Sequence, residues 1–320
     1  MKVLFNPIYN GGNAPKKIEE VGGNTGNLVF VQAIKDNFEF DEEAYFDCQW
    51  TREYGGGVDV VSIMPASNFL SRSTAWLEYM IPILEQTDMR FTFVGLGAQA
   101  ALGERPKDVI DKLTDKQRYV FKLVSERART IGVRGEFTAE CLEEMGIHNV
   151  DIIGCPSFFM YEGEYPVLPK PSREKILYTI QTGKKFEVIR HMMEHENARL
   201  ICQVPSDAAK ERQNIFFDIA DWNTYIQKEK FTFAFGCRFH GNMMALRNKI
   251  PTLWLAHDWR TLELVRYLGV PYLEYRDDKL TEEITSVEQL IEYCDYENVY
   301  KRYPQIYKHY CEFMNLNFTD

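Results

Sequence analysis

Phe231-Thr232-Phe233-Ala234-Phe235-Gly236-Cys237-Arg238-Phe239-His240-Gly241-Asn242 is the stretch on which the fold turns. Phe231–Phe235 is a strongly apolar strand, and Asn242–Leu246 reads as the helix that follows it. A strand that is apolar on both faces and runs straight into a helix is the repeating unit of α/β proteins with parallel sheet. The turn between them lies at a strand end, where open α/β sheets place their ligands. Arg238 and His240 are separated by one residue, so in extended chain both point the same way. Arginine offers a fixed charged fork for phosphate or carboxylate, and histidine a proton acceptor near neutral pH. A lone histidine is more often structural than catalytic. An Arg–His pair at a strand end beside a glycine favours the functional reading.

The same alternation extends outward in both directions. Strands are expected at Lys2–Phe5, Val58–Met64, Phe91–Val94, Thr130–Val133 and Val150–Ile153, then at Ile176–Ile180, Leu200–Val204 and Thr252–Leu255. A capping box at Thr114-Asp115-Lys116-Gln117 opens a helix carrying Val120, Phe121, Val124 and Ala128 at helical spacing. Helices Phe137–Met145 and Asp258–Leu268 end at Gly146 and Gly269, both candidates for left-handed C-caps. The proline-rich stretch Glu162–Glu174 has no apolar periodicity and is the best boundary. It predicts two Rossmann-like domains, 1–165 and 172–282, facing each other across a cleft, with a helical extension over 283–320.

At 320 residues the chain exceeds the usual size of a single core, which agrees with two domains. The 37 basic and 47 acidic residues give a formal charge of −10. That argues against general nucleic-acid binding, which needs many cations on phosphates. It leaves room for a small anion held by a few focused arginines. Seven cysteines without a CxxC pair suit reduced intracellular thiols. The N-terminus turns polar at Asn6, and no apolar run is long enough to span a membrane, so no signal peptide or transmembrane helix is expected. The expected location is the cytoplasm, or the periphery of the inner membrane face. Oligomeric state is not legible.

Four other segments share the strand-end position or its chemistry. Gly22-Gly23-Asn24-Thr25-Gly26-Asn27 precedes the helical run Leu28–Ile34 and lets backbone approach a ligand at a helix N-terminus, although a plain turn fits it equally well. Ala256-His257-Asp258-Trp259-Arg260 puts Arg260 in the first turn of a helix, with Asp258 as a natural N-cap. Arg134 ends the strand Thr130–Val133, and a pairing with Glu136 or Glu140 would explain it as well as a ligand would. Gly154-Cys155-Pro156-Ser157 offers a possible nucleophile in Cys155, but sequence places no base beside it, so a buried thiol is expected. The zinc-like pattern His191-Met192-Met193-Glu194-His195 lacks a third ligand and reads as a helix with its histidines on the solvated side, so no metal is expected.

Taken in order, these fragments resemble the polysaccharide pyruvyltransferase family. The residues that carry the likeness are Gly22-Gly23-Asn24-Thr25-Gly26-Asn27, Val133-Arg134-Gly135-Glu136-Phe137-Thr138 with Leu142 and Gly146, and Gly154-Cys155-Pro156-Ser157. They continue with Arg238-Phe239-His240-Gly241 and Ala245, then Asp258-Trp259-Arg260, so that the likeness spans about residues 20–270. No single piece is specific; the ordered set is. The resemblance implies a GT-B-like α/β fold. It also implies transfer of a pyruvyl group from phosphoenolpyruvate to a sugar of a cell-surface or exopolysaccharide glycan, lipid-linked or not, as a cyclic ketal. No cofactor beyond that donor is implied. The N-terminal domain then falls on the acceptor side, with Asn24, Gly26 and Asn27 as binding residues, and the second domain on the phosphoenolpyruvate side. Arg238, Arg260 and Arg134 are the expected donor ligands and His240 the base; Asp258 and Glu263 are weak choices for the acid. The family usually carries an acidic residue where this chain has Asn27, which can hydrogen-bond a sugar hydroxyl but cannot act as a base. Trp222 and Trp259 are available to stack on sugar faces, with core packing the default. Two alternatives stay open: a GT-B glycosyltransferase using a sugar nucleotide, with the same arginines on a diphosphate, and a non-catalytic glycan-binding relative.

Overall fold

The computed structural model describes residues 1–7, 17–44, 60–181, 189, 192–193, 196, 198–205, 214–277 and 279–318. His191, Glu194 and His195 of the zinc-like pattern, and Cys48, lie outside the described residues.

The first half carries β1 (Lys2–Phe5), β2 (Glu42–Ala44), β3 (Val61–Pro65) and β4 (Arg90–Val94) in the order β2-β1-β3-β4, all parallel. A parallel bridge from Leu96 to Val133 joins this sheet to the pair β5 (Ile131–Val133) and β6 (Val150–Ile152). The second half is one six-stranded sheet of β7 (Ile176–Thr179), β8 (Ala198–Leu200), β9 (Phe233–Gly236), β10 (Thr252–Ala256), β11 (Tyr272–Arg276) and β12 (Lys279–Leu280), in the order β12-β11-β10-β9-β7-β8. Its pairs are parallel except for the closing hairpin of β11 with β12. The fold is thus mixed α/β with parallel sheets.

The apolar runs behave as strands covered on both faces should: every residue of β3, β7, β9 and β10 is buried. The capping box at Thr114 forms as read, with Thr114 accepting from the Gln117 N–H at the start of the helix Asp115–Arg127. Gly146 and Gly269 both take the left-handed conformation, φ 74° and 72°, at or just beyond the ends of the helices Glu136–Glu143 and Trp259–Leu268.

Two strands move. The strand expected over Val58–Met64 runs Val61–Pro65, with residues 58 and 59 outside the described set. The strand expected over Leu200–Val204 ends at Leu200. Beyond it the ladder is abandoned: Cys202 makes an isolated bridge to Ile215, and the Gln203 carbonyl accepts from the Thr25 N–H of the glycine-rich loop at 2.9 Å. Strands β2, β11 and β12 were not anticipated. Acidic β2 (Glu-Glu-Ala) has no alternating pattern and sits at the sheet edge. In β11 only Leu273 and Tyr275 are buried, an alternation of one face that is easily taken for tail.

The last helix, Glu297–Phe318, ties the chain's end to its first half. Its Tyr303 hydroxyl donates to the Tyr161 carbonyl and accepts from the Tyr161 N–H, and Tyr300 accepts from the Leu168 N–H. The proline-rich connection is therefore pinned along this helix. Further on, Asn317 bonds both the backbone and the hydroxyl of Thr130, and His309 Nε2 lies 2.7 Å from Asp151 Oδ1 beside β6. No helix among the described residues is long and apolar enough to cross a membrane.

Candidate active site

A cavity of about 110 Å³ opens where the C-terminal ends of strands from both halves meet. Its wall takes Asn24 and Asn27 from the glycine-rich loop after β1, Ser67 and Asn68 from the loop after β3, and Arg134 from the end of β5. The second half contributes Gln203 beyond β8, Arg238 and His240 beyond β9, and Arg260 beyond β10. This is the position at which parallel sheets expose helix N-termini and loop amides to a ligand. Six of the seven residues singled out from the sequence line it. The seventh, Gly26, stands immediately behind: a Cβ there would come within 1.8 Å of Gln203 Nε2.

Arg134 is the most unusual member. It is 1% exposed, and its Nε donates to the Gly95 carbonyl at 2.8 Å. Neither Glu136 nor Glu140 pairs with it, and among the described residues no carboxylate reaches salt-bridge distance of its guanidinium. Burial, and to a lesser degree the charge of Arg260, depress its pKa, against the opposing pull of Cys155, Glu263 and Asp258. A buried cation with no carboxylate partner among the described residues is costly even with carbonyl acceptors, and an anionic ligand would relieve that cost. Arg260 is steered by Asp258, whose Oδ2 lies 3.4 Å from its Nη2. Asp258 is also the helix N-cap, accepting from the Thr261 N–H at 2.8 Å. Burial would raise the Asp258 carboxyl, but Arg260, His257 and the Thr261 hydrogen bonds outweigh it and hold the group far below the usual carboxylate range. Asp258 is therefore ionised and is no proton donor.

Arg238 and His240 reach the cavity by a different route from the one the sequence suggested. The helix begins at Phe239, not Asn242, with Arg238 as its N-cap in extended conformation and His240 in its first turn. The two side chains share a cavity because a helix N-terminus points into it, not because a strand alternates. His240 is 7% exposed, and its ring packs against Phe30, with centroids 5.2 Å apart. Burial, then the charges of Arg134 and Arg260, push its pKa well below 6.5, so the imidazole is neutral at pH 7. Cys155 is the buried thiol expected, but the structure does place a base beside it: its Sγ lies 3.6 Å from His240 Nε2. That contact joins residues 85 positions apart and has no sequence signal.

Gln203 escaped the sequence reading. It is 2% exposed, and its Oε1 accepts from the Gly241 N–H at 3.3 Å while its Nε2 faces Asn24 Oδ1 at 3.4 Å. It thereby links the glycine-rich loop to the helix that carries His240. Ser67 and Asn68 were missed too. All three are polar residues just past the end of an apolar run, and that pattern was the available signal. Within the loop, Asn24 Oδ1 accepts from the Gly26 N–H and Asn27 Nδ2 donates to the Val21 carbonyl, so both amides also hold their own turn.

The two tryptophans do not serve the cavity. Trp222 is fully buried against Phe216. Trp259 stacks on Phe137 at 4.6 Å and donates its indole N–H to the Glu104 carbonyl. Glu263 stands outside the cavity lining, accepting from both the Thr138 N–H and the Thr138 hydroxyl. Burial pushes its carboxyl up to about 8, against the Thr138 hydrogen bonds and Arg134, with Asp258 adding to the rise. The folded chain thus keeps a proton that the unfolded chain loses near pH 4.5, so this group's contribution to stability falls as pH rises from about 4.5 to about 8. Glu263→Gln is expected to gain stability relative to the natural chain as pH goes from 5 to 8, by up to a few kcal/mol at about 1.4 kcal/mol per pKa unit. Urea unfolding at the two pH values reads this; a difference that does not change with pH would refute the buried proton.

Parallel sheets with a cation-rich cavity at their strand ends define the chain as an α/β protein. Residues 55–258, more than half of the chain, match the family model of polysaccharide pyruvyl transferases, and the chain belongs to that family of transferases. Arg134, His240 and Arg238 fall within the matched span; the glycine-rich loop and Arg260 lie outside it. Among solved structures, a functionally uncharacterized protein of Klebsiella pneumoniae is 12% identical, over 77% of this chain and 84% of its own, with a TM-score of 0.45. A candidate UDP-N-acetylglucosamine 2-epimerase of Listeria monocytogenes is 12% identical, over 100% of this chain and 91% of its own, with a TM-score of 0.40. Comparison with curated proteins finds no match.

Proposed function

We propose that this chain transfers a pyruvyl group from phosphoenolpyruvate to a sugar of a surface or exopolysaccharide glycan, forming a cyclic ketal and releasing inorganic phosphate. The observation that carries the reading is Arg134: a buried guanidinium with no carboxylate partner among the described residues, on a cavity shared with Arg238 and Arg260. Phosphoenolpyruvate brings a phosphate and a carboxylate on three carbons, so three cations around a small cavity suit its charge and size. In this reading the arginines hold the donor while its methylene carbon takes up a proton, leaving an oxocarbenium-like centre. A sugar hydroxyl, giving its proton to His240, attacks that centre. A second hydroxyl then displaces phosphate, its proton leaving with the phosphate, and closes the ketal.

The electrostatics of His240 fit such a sequence. Burial first, and then the charges of Arg134 and Arg260, depress its basicity. A bound anion between those guanidiniums cancels part of their field, so the imidazole becomes a better base when the donor is in place. Asn24 and Asn27, on the same wall, are the proposed acceptor ligands through hydroxyl hydrogen bonds, with Gly26 giving the loop its close approach to Gln203.

Incubation with phosphoenolpyruvate and a panel of glycans is expected to release one phosphate per ketal formed, with the product identified by mass spectrometry. Thermal-shift titration separates the competing donor class. Stabilisation by phosphoenolpyruvate and not by nucleoside diphosphates supports the proposal; the reverse pattern assigns the cavity to a sugar-nucleotide glycosyltransferase.

A further inference from the structure

The buried contact between His240 and Cys155 has a chemical direction. Cys155 Sγ lies 3.6 Å from His240 Nε2 and 3.1 Å from Ser157 Oγ, and Cys155 and Ser157 are both fully buried. His240 Nδ1 makes no hydrogen bond to another described residue. The imidazole is neutral, so one ring nitrogen carries a hydrogen and the other a lone pair. If the thiol donated to Nε2, the ring hydrogen would sit on Nδ1, the ring nitrogen that Cys155 leaves to the cavity lined by Arg134 and Arg260, whose field disfavours it. If Nε2–H donates to sulfur, the lone pair sits on Nδ1 and that field favours it. The thiol hydrogen then has a ready acceptor in Ser157 Oγ.

We infer that Cys155, oriented by Ser157, is a positioning residue that holds His240 in the Nε2–H tautomer and keeps Nδ1 as the open proton acceptor. The relay runs Nε2–H to Sγ, then S–H to Oγ, and no bond is broken in it. The inference deepens the proposed reaction and rests on it for the meaning of the open lone pair, but the tautomer itself is a property of the resting protein. An anionic partner would stabilise a protonated imidazole; a thiol does not. It orients the ring without raising its basicity, which leaves that task to the bound donor. Cys155 comes from the loop after β6 and His240 from the first turn of the helix after β9, so the pairing also joins the two halves at the site.

The test is long-range 1H–15N spectroscopy of histidine-labelled protein, with the His240 signals identified by their loss in His240→Gln. The expected spectrum has a pyrrole-like Nε2 and a pyridine-like Nδ1. Cys155→Ala is expected to mix the two tautomers and Cys155→Ser to restore the first. Ser157→Ala, which keeps the thiol but removes its acceptor, is expected to shift the ratio part of the way. In turnover, Cys155→Ala is expected to lower kcat about tenfold or more with little change in KM for phosphoenolpyruvate. An Nδ1–H tautomer in the natural protein overturns the inference, as does a Cys155→Ala spectrum unchanged from it. The expected spectrum in a protein that transfers no pyruvyl group leaves the positioning role standing and removes the proposed reaction instead.

Discussion

His240→Ala is expected to lower phosphate release from phosphoenolpyruvate by about 10²–10⁴-fold, the range that a positioned general base supplies. The side chain is mostly apolar contact plus one thiol, packed against Phe30 and Phe239, so the variant leaves a small cavity and not an unpaired charge. It should remain folded by circular dichroism and still be stabilised by phosphoenolpyruvate, because the donor-holding arginines are untouched. His240→Gln separates shape from chemistry: it keeps a polar group near Cys155 but cannot take a proton at neutral pH, and the same loss is expected. Normal turnover in either folded variant would remove His240 from the mechanism.

Arg134→Met should have the second large effect, and it should split function from stability. A donor aimed at developing charge is typically worth about 10²–10³ in rate, and a loss of that order is expected in kcat/KM for phosphoenolpyruvate. Stability should move the other way or hold. The substitution deprives the Gly95 carbonyl of a donor, a cost of about 1–3 kcal/mol, but it also removes a buried cation with no carboxylate partner among the described residues. The melting temperature is therefore expected to stay level or rise, while the stabilisation produced by added phosphoenolpyruvate shrinks. A variant that melts far lower yet turns over normally would show Arg134 to be a structural strut.

Much of the site was legible because strand ends are legible. A parallel strand buried on both faces writes itself as a continuous apolar run, and the first polar or charged residue beyond it must sit at the sheet's C-terminal edge. Arg134 and Arg238 were found in this way, and so was His240, although its helix starts three residues earlier than the sequence suggested; Arg260 was found as a cation in the first turn of the helix after such a strand. The same logic covered Gln203, Ser67 and Asn68, but amides and hydroxyls in loops carry too little chemical contrast to stand out. Trp222 shows the opposite case: the residue type suggested a sugar platform, and its burial shows it to be core.

The amino-acid sequence by itself determined the layers, the order of the elements, the helix stops at Gly146 and Gly269, and which cations end strands, because each follows from local periodicity or from one residue's backbone preference. Tertiary structure decided which of those ends meet. It set Cys155 against His240 across 85 positions, left Arg134 buried without a carboxylate among the described residues, and drew the Gln203 backbone away from its ladder to the glycine-rich loop. Burial also decided protonation: Asp258 and Glu263 lie five residues apart on the same helix turn-and-a-half, yet one is held ionised by Arg260 and the other keeps its proton to about 8. Charge, desolvation and hydrogen-bond direction depend on distances between groups remote in the chain, and those distances exist only once the sheets have packed.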